Sequence, residues 1–133
     1  MKNLKVKLIS FLMLTFVMFS CGSDEPIAIT LPLNEVLENL NNGILEGKLS
    51  EDYTLDPTMQ YSLRGAFIIE NNGILTIPAG TIITADSGGT EVYIAVLQGG
   101  EININGNAGN PVVMSSATGS PGDWGGLTLC GNA

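Results

Sequence analysis

The apolar positions of this chain fall into three regimes. Leu8 to Phe19, LISFLMLTFVMF, is an almost unbroken apolar run with Ser10 and Thr15 as its polar residues. Between Ile27 and Asn42 the spacing becomes helical, because Leu33, Val36, Leu37 and Leu40 recur at i, i+3, i+4 and i+7 behind Pro32. That spacing predicts a short amphipathic helix, with an extended tether as the alternative. From Asn41 onward, short alternations are punctuated by Gly, Asn and Pro. Leu75-Thr76-Ile77, Ile102-Asn103-Ile104 and Leu127-Thr128-Leu129 each read apolar, polar, apolar. Alternation of period two places the first and third residue of each on one face of a strand. Further strands are predicted over 67–69, 81–84, 92–97 and 112–115, with Pro78 and Pro111 at turns or strand starts because proline has no amide hydrogen to give to a ladder.

The alternations recur. NNGIL stands at Asn41 to Leu45 and again at Asn71 to Leu75; QGGEININGNAG overlies the second copy at a shift of 27; GGLTLCGNA overlies GEININGNA at a shift of 25. Units of this length indicate a solenoid, and their Gly and Asn content with no sustained 3.6 period excludes helical repeats. If the units stack as parallel strands about 4.8 Å apart, Leu45, Leu75, Ile102 and Leu127 form one inward column and Ile77, Ile104 and Leu129 a second. The expected fold is all-β, an incomplete right-handed parallel β-helix over residues 43–133, preceded by a lead-in segment over 21–42.

Residues 1–20 have the build of an export signal: Lys2, Lys5 and Lys7, then the apolar run. A membrane-spanning helix would need roughly 20 apolar residues, and this run is shorter. MFSC, residues 18–21, resembles a relaxed lipobox of bacterial lipoproteins. That resemblance makes Cys21 the lipid-attachment residue and the first residue of the mature chain, with simple secretion as the alternative. CGSDEP, from Cys21 to Pro26, resembles the acidic tether that directs Gram-negative lipoproteins to the surface of the outer membrane.

GILTIPAGTII (73–83) and NPVVMSSATGSPGDWGGLTLCGNA (110–133) resemble a family of bacterial β-helix lipoproteins and secreted proteins, which carry phrases of the type G-x-L-T-I-x-A-G-T-x-I and G-D-W-G-G-L. Nearly everything from Gly43 to Ala133 shares the resemblance. Members of that family run for several hundred residues, so the chain is expected to be an N-terminal fragment whose last coil leaves an uncapped edge, with pairing to another chain as the alternative.

Charge narrows the partners. Without residues 1–20 the chain holds two basic residues, Lys48 and Arg64, against thirteen acidic ones, a net of about −11. Such a surface repels nucleic acid and anionic headgroups, so lipid rather than charge would hold the protein at a membrane. With Cys21 lipidated, Cys130 has no disulfide partner and is expected to be a small buried apolar residue. The chain has no His, which removes imidazole acid–base chemistry. No cofactor or metal is expected. A polysaccharide lyase or glycosidase would have to use Asp86, Glu91, Glu101 or Asp123 for acid work and Arg64 as base or clamp, with two carboxylates roughly 5–9.5 Å apart for a glycosidase.

Solvated loop acids are the plainer account of those carboxylates. The loop 85–91, with Asp86 and Glu91, is the candidate ligand-binding surface, since loops on rigid scaffolds carry recognition. Trp124 is expected to pack at the corner of a turn. Tyr53, Tyr61 and Tyr93 would stack on sugars only if exposed in a row. The expected function is therefore a lipid-anchored outer-membrane scaffold for structural, glycan or envelope-protein contacts, without catalysis by this chain. The alternative is the front part of a carbohydrate-active β-helix enzyme.

Overall fold

In the computed structural model, which describes residues 31–131, one helix precedes nine strands among the described residues. The helix is α1 (Leu33–Asn41); the strands are β1 (Ile44–Leu49), β2 (Tyr53–Thr54), β3 (Gln60–Ile69), β4 (Ile74–Pro78), β5 (Ile82–Ala85), β6 (Gly89–Val96), β7 (Glu101–Asn105), β8 (Val113–Ser116) and β9 (Trp124–Leu129). All strand pairings are parallel. The strands trace successive coils with three straight segments each. The first segment is the start of β1, then Gln60–Leu63, β5 and β8. The second is the end of β1, then Ala66–Ile69, the end of β6 and the end of β9. The third is β2, β4 and β7. The first two segments share one sheet and the third forms a separate sheet of three strands. The expected parallel β-helix is the fold observed.

Register corrects the columns. Leu75 stacks on Ile102 and Ile77 on Ile104, at the expected shift of 27. Leu45, however, pairs with Leu63, and Leu127 with Ile94, both in the other sheet. The two NNGIL copies thus stand at different corners of the coil. The second inward column fails likewise, because Leu129 pairs with Val96. The interior is filled instead by three shorter stacks: Leu45 on Leu63; Phe67, Ile94 and Leu127; Tyr53, Leu75 and Ile102. Leu45, Leu63, Phe67, Ile69, Leu75, Ile77, Ile83 and Ile94 are all buried in one cluster.

Glycine marks the corner between the second and third segments. A Cβ on Gly73 would lie 2.7 Å from the carbonyl oxygen of Leu49, and one on Gly100 2.4 Å from that of Ile69. One backbone therefore crosses directly over the coil beneath it at the same place in two coils, and only glycine fits. Asn71 and Asn72, with φ of 52° and 68°, make the tight approach to the first of these glycines, as asparagine does at low strain. Pro78 ends β4, paired at the last position of its ladder with Asn105, and Pro111 precedes β8.

Helix α1 covers the first coil. Val36 and Leu40 are fully buried, and Leu31 and Leu37 pack against the same cluster. Burying each of the two aliphatic side chains is worth about 1.5–3 kcal/mol. Val36 lies so close over β1 that a Cβ on Gly47 would approach its Cγ2 to 2.8 Å. The predicted helical spacing is therefore the seal on one end of the stack. At the other end, Ile104 is 43% and Leu129 65% exposed. Cys130 is exposed rather than buried, because it follows β9, where its N–H donates to the Val96 carbonyl and its side chain has left the inward face.

Leu40→Ala should lower unfolding free energy by about 2–5 kcal/mol and Gly100→Ala by about 1–3 kcal/mol, read from urea denaturation. Leu129→Ala should change it by less than about 0.5 kcal/mol. A loss at Leu129 equal to that at Leu40 would contradict the assignment of covered and open ends.

Candidate functional site

The corner between the first and second segments holds most of the charged side chains singled out from the sequence. Glu46 stands at the register irregularity of β1, between Leu45 and Gly47. In the next coil Arg64 and Gly65 occupy the same corner, between Leu63 and Ala66. Above them the turn lengthens to 86–92 between β5 and the paired part of β6, and then to 117–125 between the paired parts of β8 and β9. Arg64, Asp86, Glu91 and Asp123 are thus brought to one edge of the coil. Glu101 is not, since it opens β7 in the other sheet. Its carboxylate accepts a hydrogen bond from the Asn103 side-chain amide at 2.8 Å.

The two long turns are layered on each other. The N–H groups of Gly88 and Gly89 donate to the Asp123 carbonyl at 3.0 and 2.7 Å, and Gly89 pairs with Trp124. The lower turn is anchored where Asp86 N–H donates to the Leu63 carbonyl, and the upper turn where Ala117 N–H donates to the Ala85 carbonyl, one coil below in each case. The side chains of Asp86 and Glu91 are exposed, on a backbone held by these ladders.

Asp123 is engaged within its own turn. Its carboxylate accepts the Thr118 hydroxyl and the Ser120 N–H at 3.2 Å. Hydrogen bonds from the Thr118 hydroxyl first, and from Ser116 second, hold its carboxyl below the ordinary carboxylate range, because donors favour the charged form. A proton donor needs the opposite shift, so this arrangement suits a loop clasp better than a general acid. Among the described residues, no three His, Cys, Asp or Glu side chains come together in a way that could hold a metal ion.

The aromatic residues do not form a row. Tyr61 is buried, its hydroxyl accepting the Asp56 N–H at 2.8 Å. Tyr53 packs against the core and its hydroxyl donates to Asn41 Oδ1 at 2.8 Å; burial, ahead of the neighbouring Tyr61 and Asp56, raises its pKa. Trp124 packs against the core at the turn, as expected. Tyr93 is the remaining half-buried ring, in register between Ala66 below and Gly126 above, with Gly125 close against its Cβ. Glu46 was not singled out by the sequence; the signal that marks it is Gly47, whose φ of 98° accompanies the register irregularity of β1 while its in–out alternation continues. Cys21 lies outside the described residues, and among those described no helix is long and apolar enough to cross a membrane.

Stacked parallel coils, buried aliphatic columns and turns of unequal length at one edge define a parallel β-helix with a loop-bearing face. A family model described as a pectate-lyase-like β-helix domain matches residues 47–133, and the chain belongs to that family. Neither the curated proteins nor the solved structures gave a match to this chain.

Removing the clasp tests its role. In Thr118→Ala the titration midpoint of Asp123, followed by carboxyl-carbon NMR, should rise toward the ordinary carboxylate range. Because the folded pKa is depressed, the clasp stabilises the turn above the unfolded pKa of about 3.9 and is lost as pH falls through the folded value. An unchanged midpoint in the variant would remove Thr118 as the cause.

Proposed function

We propose that this protein is a lipid-anchored lipoprotein of the outer membrane, attached through Cys21 and displayed outward. In this reading its β-helix is a rigid, non-catalytic scaffold for an extracellular glycan or an envelope protein. The observation that carries the binding role is the layered corner. Asp86 and Glu91 stand exposed on one segment, 86–92, held by the Asp86 N–H on the Leu63 carbonyl below and by the Gly88 and Gly89 N–H groups on the Asp123 carbonyl above, the condition under which a loop recognises a partner with little ordering cost. Asp123, the acid beside them, is committed to its turn. The anchor is supported by the charged start, the apolar run and the MFSC tetrapeptide. A thiol is a side chain readily alkylated, and stable attachment takes two or more acyl chains. With a net charge of about −11 once residues 1–20 are removed, nucleic acid is a poor partner.

The family description favours one second reading, a carbohydrate-active enzyme acting on acidic polysaccharide. The two readings separate on turnover. Acidic polysaccharides incubated with the protein, with and without calcium, should remain intact; product formation by this chain would replace the scaffold reading with the enzymatic one. For binding, a glycan array and an envelope-protein pull-down should each be run on wild type and on the Asp86→Ala, Glu91→Ala double variant. The variant should lose about tenfold in affinity for whatever wild type retains, equivalent to about 1.4 kcal/mol. Equal retention would move the site off this corner. Metabolic labelling with a fatty acid should mark wild type and leave Cys21→Ala unlabelled; equal labelling of both would refute the anchor.

A further inference from the structure

Three Asn-Gly dipeptides occur in the sequence: Asn42-Gly43, Asn72-Gly73 and Asn105-Gly106. In this dipeptide the glycine nitrogen can attack the preceding side-chain amide, since no Cβ on glycine shields it. The fold treats the three differently. Gly43 N–H donates to the Leu40 carbonyl at 3.1 Å and Gly73 N–H to the Glu70 carbonyl at 2.9 Å. Both nitrogens are tied into the turns that start β1 and β4, and Asn42 is further held by its side-chain amide on the Glu38 carbonyl at 2.9 Å. Gly106 has no such bond among the described residues. The reason is alternation along β7. Glu101 N–H donates down to the Gly73 carbonyl, so 103 and 105 face the same way, and Gly106 turns its N–H to the side that carries no further strand among the described residues.

The glycine of this dipeptide also differs from the other two, Gly43 and Gly73 being buried. Asn105 and Gly106 are exposed, and Gly106 lines an open hollow of about 430 Å³ with Ile104, Asn107, Ala108, Pro111 and Val112. Water reaches it. A Cβ on Gly106 would also lie 2.9 Å from the Val112 nitrogen. The return of the backbone into β8 therefore requires glycine at the position that makes Asn105 labile.

We propose that Asn105 is a site of spontaneous covalent modification, converted to aspartate and isoaspartate while Asn42 and Asn72 are protected by the fold. Hydroxide removes the Gly106 amide proton; the nitrogen attacks Asn105 Cγ and a new C–N bond closes a cyclic imide. The bond between Asn105 Cγ and Nδ2 breaks and the amide group leaves as ammonia, taking its proton from water. A second water opens the ring at either carbonyl. One product is aspartate; the other carries the backbone through Cγ. The net change is amide and water to carboxylate and ammonium, with no oxidation. Each event adds a negative charge at the end of β7.

The test is incubation of the full-length protein at two pH values, with peptide mapping by mass spectrometry and separation of aspartyl from isoaspartyl products. In the folded protein Asn105 should convert at least about fivefold faster than Asn42 or Asn72, the factor that one amide hydrogen bond is worth, and faster at the higher pH. In urea the three rates should converge. Asn105→Gln should fold normally and lose the acidic species that accumulates in wild type. Equal rates at the three sites in the folded protein, or modification of Asn72 ahead of Asn105, would overturn the proposal. So would an Asn105 that stays intact when folded yet converts in urea.

Discussion

Everything in this structure depends on the backbone of one coil hydrogen bonding to the backbone of the coil beneath it, in register and in the same direction. A parallel ladder obliges equivalent residues to lie directly above one another about 4.8 Å apart, so columns of like-facing side groups follow from the ladder. Phe67, Ile94 and Leu127 fill the interior at one segment because their strands pair, and Tyr53, Leu75 and Ile102 fill it at another. The same obligation fixes the corners. Where backbone passes over backbone, as Gly100 does over Ile69, no side chain fits.

The ladder also explains which parts of the fold were legible in the sequence. Alternation is local, so the strands at 75–77, 102–104 and 127–129 were readable from it, and β7 lay over β4 as expected because their whole corner, from the glycine to the second isoleucine, is repeated. Coil register is not local. A coil has several corners built from the same vocabulary of Asn and Gly, and NNGIL serves one corner before β1 and another before β4. Alternation tells inside from outside but not one sheet from the other. The turn lengths compound the difficulty: Phe67 to Ile94 spans 27 residues and Ile94 to Leu127 spans 33, so no constant shift aligns the units. Local chemistry therefore identified a solenoid and misplaced two of its four members.

Legibility of the candidate site followed the same division. Asp86 was recognisable as a loop residue between two strands, whereas Glu91, read as part of the same loop, lies within β6, which begins at Gly89. Their proximity to the corner of Arg64 was not recognisable, because it depends on register across three coils. Gly47 and Gly65 set the first two turns of that corner to nearly nothing, whereas the third and fourth coils expand it, so the acids come to one edge from widely separated positions. Trp124 was readable because its small neighbours in GDWGGL leave room for a ring against the core. Tyr61 was not told from an exposed tyrosine because β3, whose alternation turns it inward with Leu63, begins at Gln60, upstream of the predicted 67–69; its hydroxyl accepts the Asp56 N–H.

Among the described residues, the two ends of the stack of parallel coils are unlike one another. At the first coil α1 lays Val36 and Leu40 over the columns, which removes apolar surface from water and covers the β1 ladder with a helix, a common way of blunting a strand edge. At the far side of β7, β8 and β9 no further strand is present among the described residues, and Leu129 and Ile104 stand open beside unpaired backbone groups. Two such faces would be attractive to each other by area and by hydrogen bonding. Charge opposes that approach. Glu101 and Asp123 lie in or beside the outermost strands, the two basic residues that would offset them, Lys48 and Arg64, lie in the lower coils, and Lys48 is already paired with Glu70 at 3.3 Å. Like charge would make two such edges repel one another, while a neutral or cationic strand would meet the same ladder without that penalty.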